Sequence, residues 1–145
     1  MSNSSPPKVD YTQEVRFAVV MYGGVSLAIY INGIAQELLR LVRATARDRN
    51  SDGAPPLSGT ERIYRQLSYL LADEKKGLEQ IKAEESVVGS VPPTRFVVDI
   101  LSGTSAGGIN GIFLAKALAN GQDIQRLQEL WVQEGDIETL NSCSR

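Results

Sequence analysis

The chain has 145 residues, of which 42% are hydrophobic and 22% charged, enough for one ordinary globular domain with a modest core and too apolar for wholesale disorder. A net charge of −2 gives no electrostatic reason to expect nucleic acid as a partner. With no histidine and a lone cysteine, Cys143, the sequence offers neither an intrachain disulfide nor a metal site of ordinary zinc-ligand type; it implies no cofactor and fits a reducing compartment.

In chain order, residues 1–13 read as a flexible leader, and residues 14–145 as the folded part. Residues 15–21 have the apolar character of a strand, and Gly23-Gly24 hands over to a helix predicted at residues 26–47. Residues 17–36 carry no charge, which approaches the length of a membrane span. Gly23-Gly24, Ser26, Asn32-Gly33 and Gln36 interrupt that run, and Asp10 and Glu14 occupy what would be the basic part of a signal peptide, so the reading is cytoplasmic. The first half of the helix, Leu27-Ala28-Ile29-Tyr30-Ile31, is apolar on nearly every side and predicts burial against the sheet. Its second half sets Leu38, Leu39 and Val42 opposite Arg40, Arg43 and Arg47, a basic cluster that suits a solvated helix face or phospholipid headgroups.

Asp52-Gly53, Pro55-Pro56 and Ser58-Gly59 make residues 47–60 a loop. A helix follows, either confined to residues 61–71 or extended to 82, with Ile63, Tyr64, Leu67, Leu70 and Leu71 on one side. These elements form a helical insertion at residues 48–92, placed either as a lid or outside the sheet. Beyond it, Phe96-Val97-Val98-Asp99-Ile100-Leu101 reads as a buried strand, residues 109–119 as a packed helix and residues 124–132 as another, with Asp123 at its cap.

Between that strand and helix stands Gly103-Thr104-Ser105-Ala106-Gly107-Gly108, the arrangement of a nucleophile elbow. Glycines at Gly103 and Gly107 let the chain fold back, Ser105 projects from the apex, and the helix N-terminus directs N–H groups at a developing oxyanion, with Ala106 as first donor. A glycine-rich turn without chemistry and a phosphate-binding loop are the other readings, although the loop lacks the Gly-Lys-Ser/Thr ending of a P-loop. Without histidine no Ser-His-Asp triad can form, so the base must be a carboxylate. Asp99 is a base or a structural pairing residue, whereas Asp123 and Asp136 lie beyond the first helix after the elbow.

The order strand, glycine turn, helix, insertion, strand, elbow, helix describes an α/β protein with a parallel sheet. Both glycine turns then fall at the C-terminal edge, where open α/β sheets bind ligands.

The Gly-Thr-Ser-Ala-Gly-Gly elbow, the absence of histidine and the Gly23-Gly24 segment resemble the patatin-like phospholipases. The string Tyr22-Gly23-Gly24-Val25-Ser26-Leu27-Ala28-Ile29-Tyr30 is similar to a bacterial patatin-related subgroup, and the resemblance covers residues 14–44 and 96–140. It implies a three-layer, parallel-sheet fold, here incomplete, and a serine acyl hydrolase that cleaves lipid esters with a Ser-Asp dyad. It further implies Ser105 as nucleophile, the amides of Gly23, Gly24 and Ala106 around the oxyanion, Gly103, Thr104, Gly107 and Gly108 as the elbow, and peripheral membrane contact. The chain departs from the family where Met21 and Tyr22 replace a leading Asp-Gly, and where Ser26 and Leu27 replace Arg/Lys-Gly. The family's catalytic Asp-Gly-Gly/Ala segment does not follow Ser105; Asp52-Gly53-Ala54 precedes it, in a loop. Residues 141–145 show no closing helix, compatible with a truncated end. Two expectations result: the N-terminal piece of a lipid acyl hydrolase, inactive alone, or a non-catalytic patatin-like module that binds a lipid or protein partner.

Overall fold

Along Gln13–Met21, β1, the side chains of Val15, Phe17, Val19 and Met21 are covered while Arg16, Ala18 and Val20 are exposed, the period of two that a strand packed on one face requires. The computed structural model describes residues 13–46, 56–73, 75, 77–85 and 92–134. After β1 come a single 3-10 turn, Val25–Leu27, then α1 (Ala28–Ala44), α2 (Thr60–Ala72), α3 (Leu78–Glu85), β2 (Thr94–Gly103), α4 (Ala106–Asn120) and α5 (Gln125–Glu134). Among the described residues the architecture is mixed α/β, with a two-stranded sheet and five α-helices. Arg16 pairs with Asp99, and further along Gly23 bonds Thr104; partners that rise together mean β1 and β2 run parallel.

The chain forms two compact units, one within Arg16–Val42 and Val97–Arg145, the other within Met1–Val15 and Arg43–Phe96. The first unit is built around Met21, Ala35, Leu39, Leu114, Ala117 and Ile124, with Val19, Ile31 and Leu101 among the half-buried side chains against them. On α1 the buried stripe is Ala28, Asn32, Ala35 and Leu39, the spacing of one helix face. Burial of the whole first half of this helix is therefore corrected: Ile29 and Tyr30 are 50% and 68% exposed. A helix presents one stripe to its neighbours, and the buried Asn32, bonded to α4, lies on that stripe. At the far end of α4, Gly121 adopts the left-handed conformation and returns its N–H to the Ala117 carbonyl. Asp123 Oδ1 then accepts the Gln125 N–H at 3.2 Å and caps α5.

In the second unit, α2 has the shorter of the two expected extents, and α3 follows as a separate helix in place of an extension to residue 82. Asp73 returns its N–H to Tyr69 and uses Oδ1 to accept the Lys75 N–H, which ends α2. Gly77 starts α3: its carbonyl accepts N–H bonds from Gln80 and Ile81, and Gln80 Oε1 reaches back to the Gly77 N–H. Ser68 Oγ accepts the Thr94 N–H and donates to the Thr94 carbonyl, while Thr45 Oγ1 accepts the Phe96 N–H. Alternate residues of a strand direct their backbone groups to the same edge, so these hydroxyls cover the edge of β2 that β1 leaves. That cover also explains why β2 begins at Thr94, ahead of the apolar run that marks it in the sequence.

No helix among the described residues is long and apolar enough to cross a membrane. The leader up to residue 12, Arg47, Asp52-Gly53-Ala54, Asp136, Cys143 and residues 141–145 lie outside the described residues.

Candidate active site

β2 ends at Gly103 and α4 begins at Ala106, so two residues, Thr104 and Ser105, reverse the chain. The Gly107 N–H closes this turn on the Thr104 carbonyl at 2.9 Å, and the Ile109 N–H bonds the Ser105 carbonyl at 3.1 Å, starting the helix. α4 thus opens three residues ahead of the apolar run at 109–119, at the place where the elbow requires a helix N-terminus, because the glycines that mark the turn also belong to its first coil. Ser105 is exposed at φ 51°, ψ −126°, and among the described residues no other non-glycine residue has a positive φ. Gly59 ahead of α2 has nearly the same backbone, φ 51°, ψ −127°. Where the chain needs this geometry only to enter a helix it uses glycine; at the elbow it holds a serine there, a strain of about 1–3 kcal/mol.

Absent side chains set how tightly the pieces meet. A Cβ on Gly103 would lie 2.6 Å from the Gly107 carbonyl carbon, and one on Gly107 would lie 2.7 Å from the Met21 carbonyl carbon and 2.8 Å from Tyr22 O. Gly108 is less confined, its added Cβ meeting Gly103 O at 3.2 Å. The Thr104 N–H bonds the Met21 carbonyl at 3.1 Å, which ties the end of β1 to the elbow. A Cβ on Gly23 would stand 2.8 Å from Ser105 Cβ, so the two glycine turns lie side by side. Gly24 has φ 141°, a conformation that side chains rarely adopt, and its carbonyl accepts the Leu27 N–H to close the 3-10 turn.

Gly23, Thr104, Ser105, Ala106 and Gly107 therefore come together, with Gly24 next in the chain. Two of the three amides expected around an oxyanion differ in their state. Gly23 donates its N–H to Thr104 Oγ1 at 3.1 Å. Ala106 is the first residue of α4, where helix geometry leaves the N–H without an intrahelical acceptor. Beside the elbow lies a groove of about 280 Å³ lined by Leu101, Gly111, Ile112 and Ala115 among others.

Asp99 has a partner: Arg16 Nη1 donates to its Oδ2 at 2.9 Å, with the two side chains 61% and 37% exposed. Exposed pairs of this kind contribute about 0–1 kcal/mol. Asp99→Asn is expected to leave the rate of fluorophosphonate labelling at Ser105 within about twofold of wild type; a collapse of labelling would make Asp99 the base. Among the described residues no group of three histidine, cysteine, aspartate or glutamate side chains could hold a metal ion.

Sequence reading missed a buried amide cluster behind the elbow. Asn32 and Asn110, both fully buried, bond each other through Asn32 Nδ2 and Asn110 Oδ1 at 3.0 Å. The signal was there: Asn110 is the lone amide in the apolar stretch from Ile109 to Leu118. A buried amide in such a helix must find partners.

No protein-family model and no solved structure matches the chain. It is similar to an uncharacterized membrane protein of Mycobacterium tuberculosis, 36% identical over 141 residues, an alignment covering 92% of this chain and 11% of that relative.

Proposed function

We propose that this chain is the nucleophile-bearing part of a patatin-like serine acyl hydrolase acting on lipid esters, with the parallel strands as one side of a three-layer α/β fold. The observation that carries the reading is Ser105 itself, exposed and held at φ 51° where Gly59 shows the chain otherwise using glycine. Ser105 Oγ attacks the acyl carbonyl and passes its proton to a carboxylate. The oxyanion is held by the N–H groups of Gly24 and Ala106, aided by the positive end of α4. Collapse expels the alcohol, which takes the proton back, and water then releases the fatty acid from Ser105 by the same route. The carboxylate is an aspartate from outside the 145 residues, because no Asp-Gly-Gly or Asp-Gly-Ala follows Ser105 in the sequence. The chain alone is therefore inactive. A cytoplasmic protein with peripheral membrane contact fits a lipid substrate, and the relative's name places that protein at a membrane.

A second reading is favoured by two observations: the Gly23 N–H is bonded to Thr104, and Ser26 and Leu27 stand where the resembled family carries Arg/Lys-Gly. Fewer donors suit a non-catalytic module that binds a lipid or protein partner. The native gene product, treated with a fluorophosphonate and digested for mass spectrometry, should carry the adduct on Ser105. A folded native product that stays unlabelled at Ser105 overturns the hydrolase reading in favour of the binding module.

A further inference from the structure

The first residue of α1, Ala28, follows the Gly23-Gly24 turn, and the first residue of α4, Ala106, follows Ser105. One side chain reaches both. Asn110 Nδ2 donates to the Ala106 carbonyl at 2.9 Å and to the Ala28 carbonyl at 3.4 Å. Its Oδ1 accepts from Asn32 Nδ2 at 3.0 Å and from Trp131 Nε1 at 3.4 Å. An indole nitrogen can only donate, so Trp131 settles which end of the amide is oxygen and leaves the NH₂ to bind the two carbonyls. Asn32 is steadied in turn by Gln36 Nε2, at 2.8 Å from its Oδ1, and Gln36 also bonds Gln128 of α5 at 2.9 Å. The buried amide thus has both NH₂ hydrogens and both lone pairs of its oxygen engaged, the condition under which a polar network in a core rigidifies.

We infer that Asn110 is a positioning residue: it locks the start of the helix after the glycine turn to the start of the helix after the nucleophile. It thereby sets the separation of the Gly24 and Ala106 amides. The inference rests on the hydrolase reading, in which those two amides hold the oxyanion. Such a device acts on the transition state, because the distance between the donors matters most when the carbonyl oxygen becomes an anion.

The test uses the native gene product, with p-nitrophenyl butyrate turnover and fluorophosphonate labelling as readouts. Asn110→Leu keeps the side-chain size and removes all four bonds. Leu114→Ala, an equally buried change one turn along α4 that touches none of the network, is the control. Both are compared at a temperature where circular dichroism shows them folded. Asn110→Leu is expected to lower kcat and the labelling rate at least tenfold with KM within about twofold, while Leu114→Ala changes neither by more than about twofold. Should Asn110→Leu not fold, Asn32→Leu leaves both carbonyl bonds of Asn110 in place and removes the bond to its Oδ1 together with the Gln36 bond behind it, and a labelling rate several-fold below that of Leu114→Ala is expected. A reactive wild type with an equally reactive Asn110 or Asn32 variant overturns the inference and leaves the hydrolase reading standing. Equal losses in the variant and in Leu114→Ala also overturn it, because packing alone would then account for both. An inert wild type overturns the hydrolase reading itself, and the inference with it.

Discussion

Replacing Ser105 with glycine will make the native protein more stable and, on the hydrolase reading proposed above, abolish ester turnover. The gain comes from the backbone. A serine at φ 51°, ψ −126° stores about 1–3 kcal/mol, which a residue without a Cβ releases. Against this, glycine loses more chain entropy on folding, a cost of about 0.5–1 kcal/mol. Relief is the larger of the two, so the net expectation is a stabilisation of about 1 kcal/mol, read as a higher urea midpoint with an unchanged slope. Gly59 shows that the same backbone geometry is ordinary for glycine in this chain. The loss comes from chemistry: without Oγ there is nothing to acylate, and turnover of p-nitrophenyl butyrate should fall by about 10³-fold or more. Ser105→Ala separates the effects, since it removes the hydroxyl and retains the strain. It should match the glycine variant in activity and wild type in stability. A glycine variant that is less stable than wild type would show that the serine side chain supports the turn, and the strain argument for a functional site would fail. Retained turnover would remove Ser105 from the reaction.

The mixed α/β class was legible because strand and helix announce themselves by different apolar spacing, and glycines stand at each change from one to the other. The order of elements around Ser105 follows from the β-branched run that ends near Gly103 and the apolar run beyond Gly108. Boundaries were less legible where one residue serves two purposes. Gly107 and Gly108 belong to the elbow motif and also lie inside α4, because a helix tolerates glycine in its first coil when close packing requires it. The break between α2 and α3 depends on a reciprocal bond between Gly77 and Gln80, a signature four residues long within a charged segment that continues the helical pattern. The face of α1 could not be read from apolarity alone, since Ile29 and Tyr30 look more buriable than Asn32. Asn32 is buried because Asn110, 78 positions away, meets it. The Gly23 bond to Thr104 spans 81 positions and is equally invisible to local pattern. What the chain reveals locally is where a nucleophile could be; what holds its surroundings in place comes from pairs far apart in sequence.

Two alanine substitutions on α4 should differ by several kcal/mol although both replace a buried helical glycine. At Gly111 an added Cβ meets nothing within 4 Å, so Gly111→Ala should gain the intrinsic helix preference of alanine, about 1 kcal/mol. At Gly107 the same gain is opposed by contact with the Met21 carbonyl carbon at 2.7 Å and Tyr22 O at 2.8 Å. These are backbone atoms, which cannot rotate aside as a side chain would, so the end of β1 and the start of α4 must separate. Overpacking of this kind costs about 3 kcal/mol at the upper end of its usual range, leaving Gly107→Ala destabilised by about 2 kcal/mol. Urea denaturation of the two variants under identical conditions reads the difference directly. The activity arm links the clash to the site. Separating β1 from α4 carries the Ala106 amide away from the Gly23-Gly24 turn, so labelling of Ser105 should fall in Gly107→Ala even where the protein is fully folded, and stay at the wild-type rate in Gly111→Ala. Equal stability of the two variants would mean that β1 and α4 are not in backbone contact at Gly107, and the close pairing of the two glycine turns, on which a shared oxyanion site depends, would lose its physical basis.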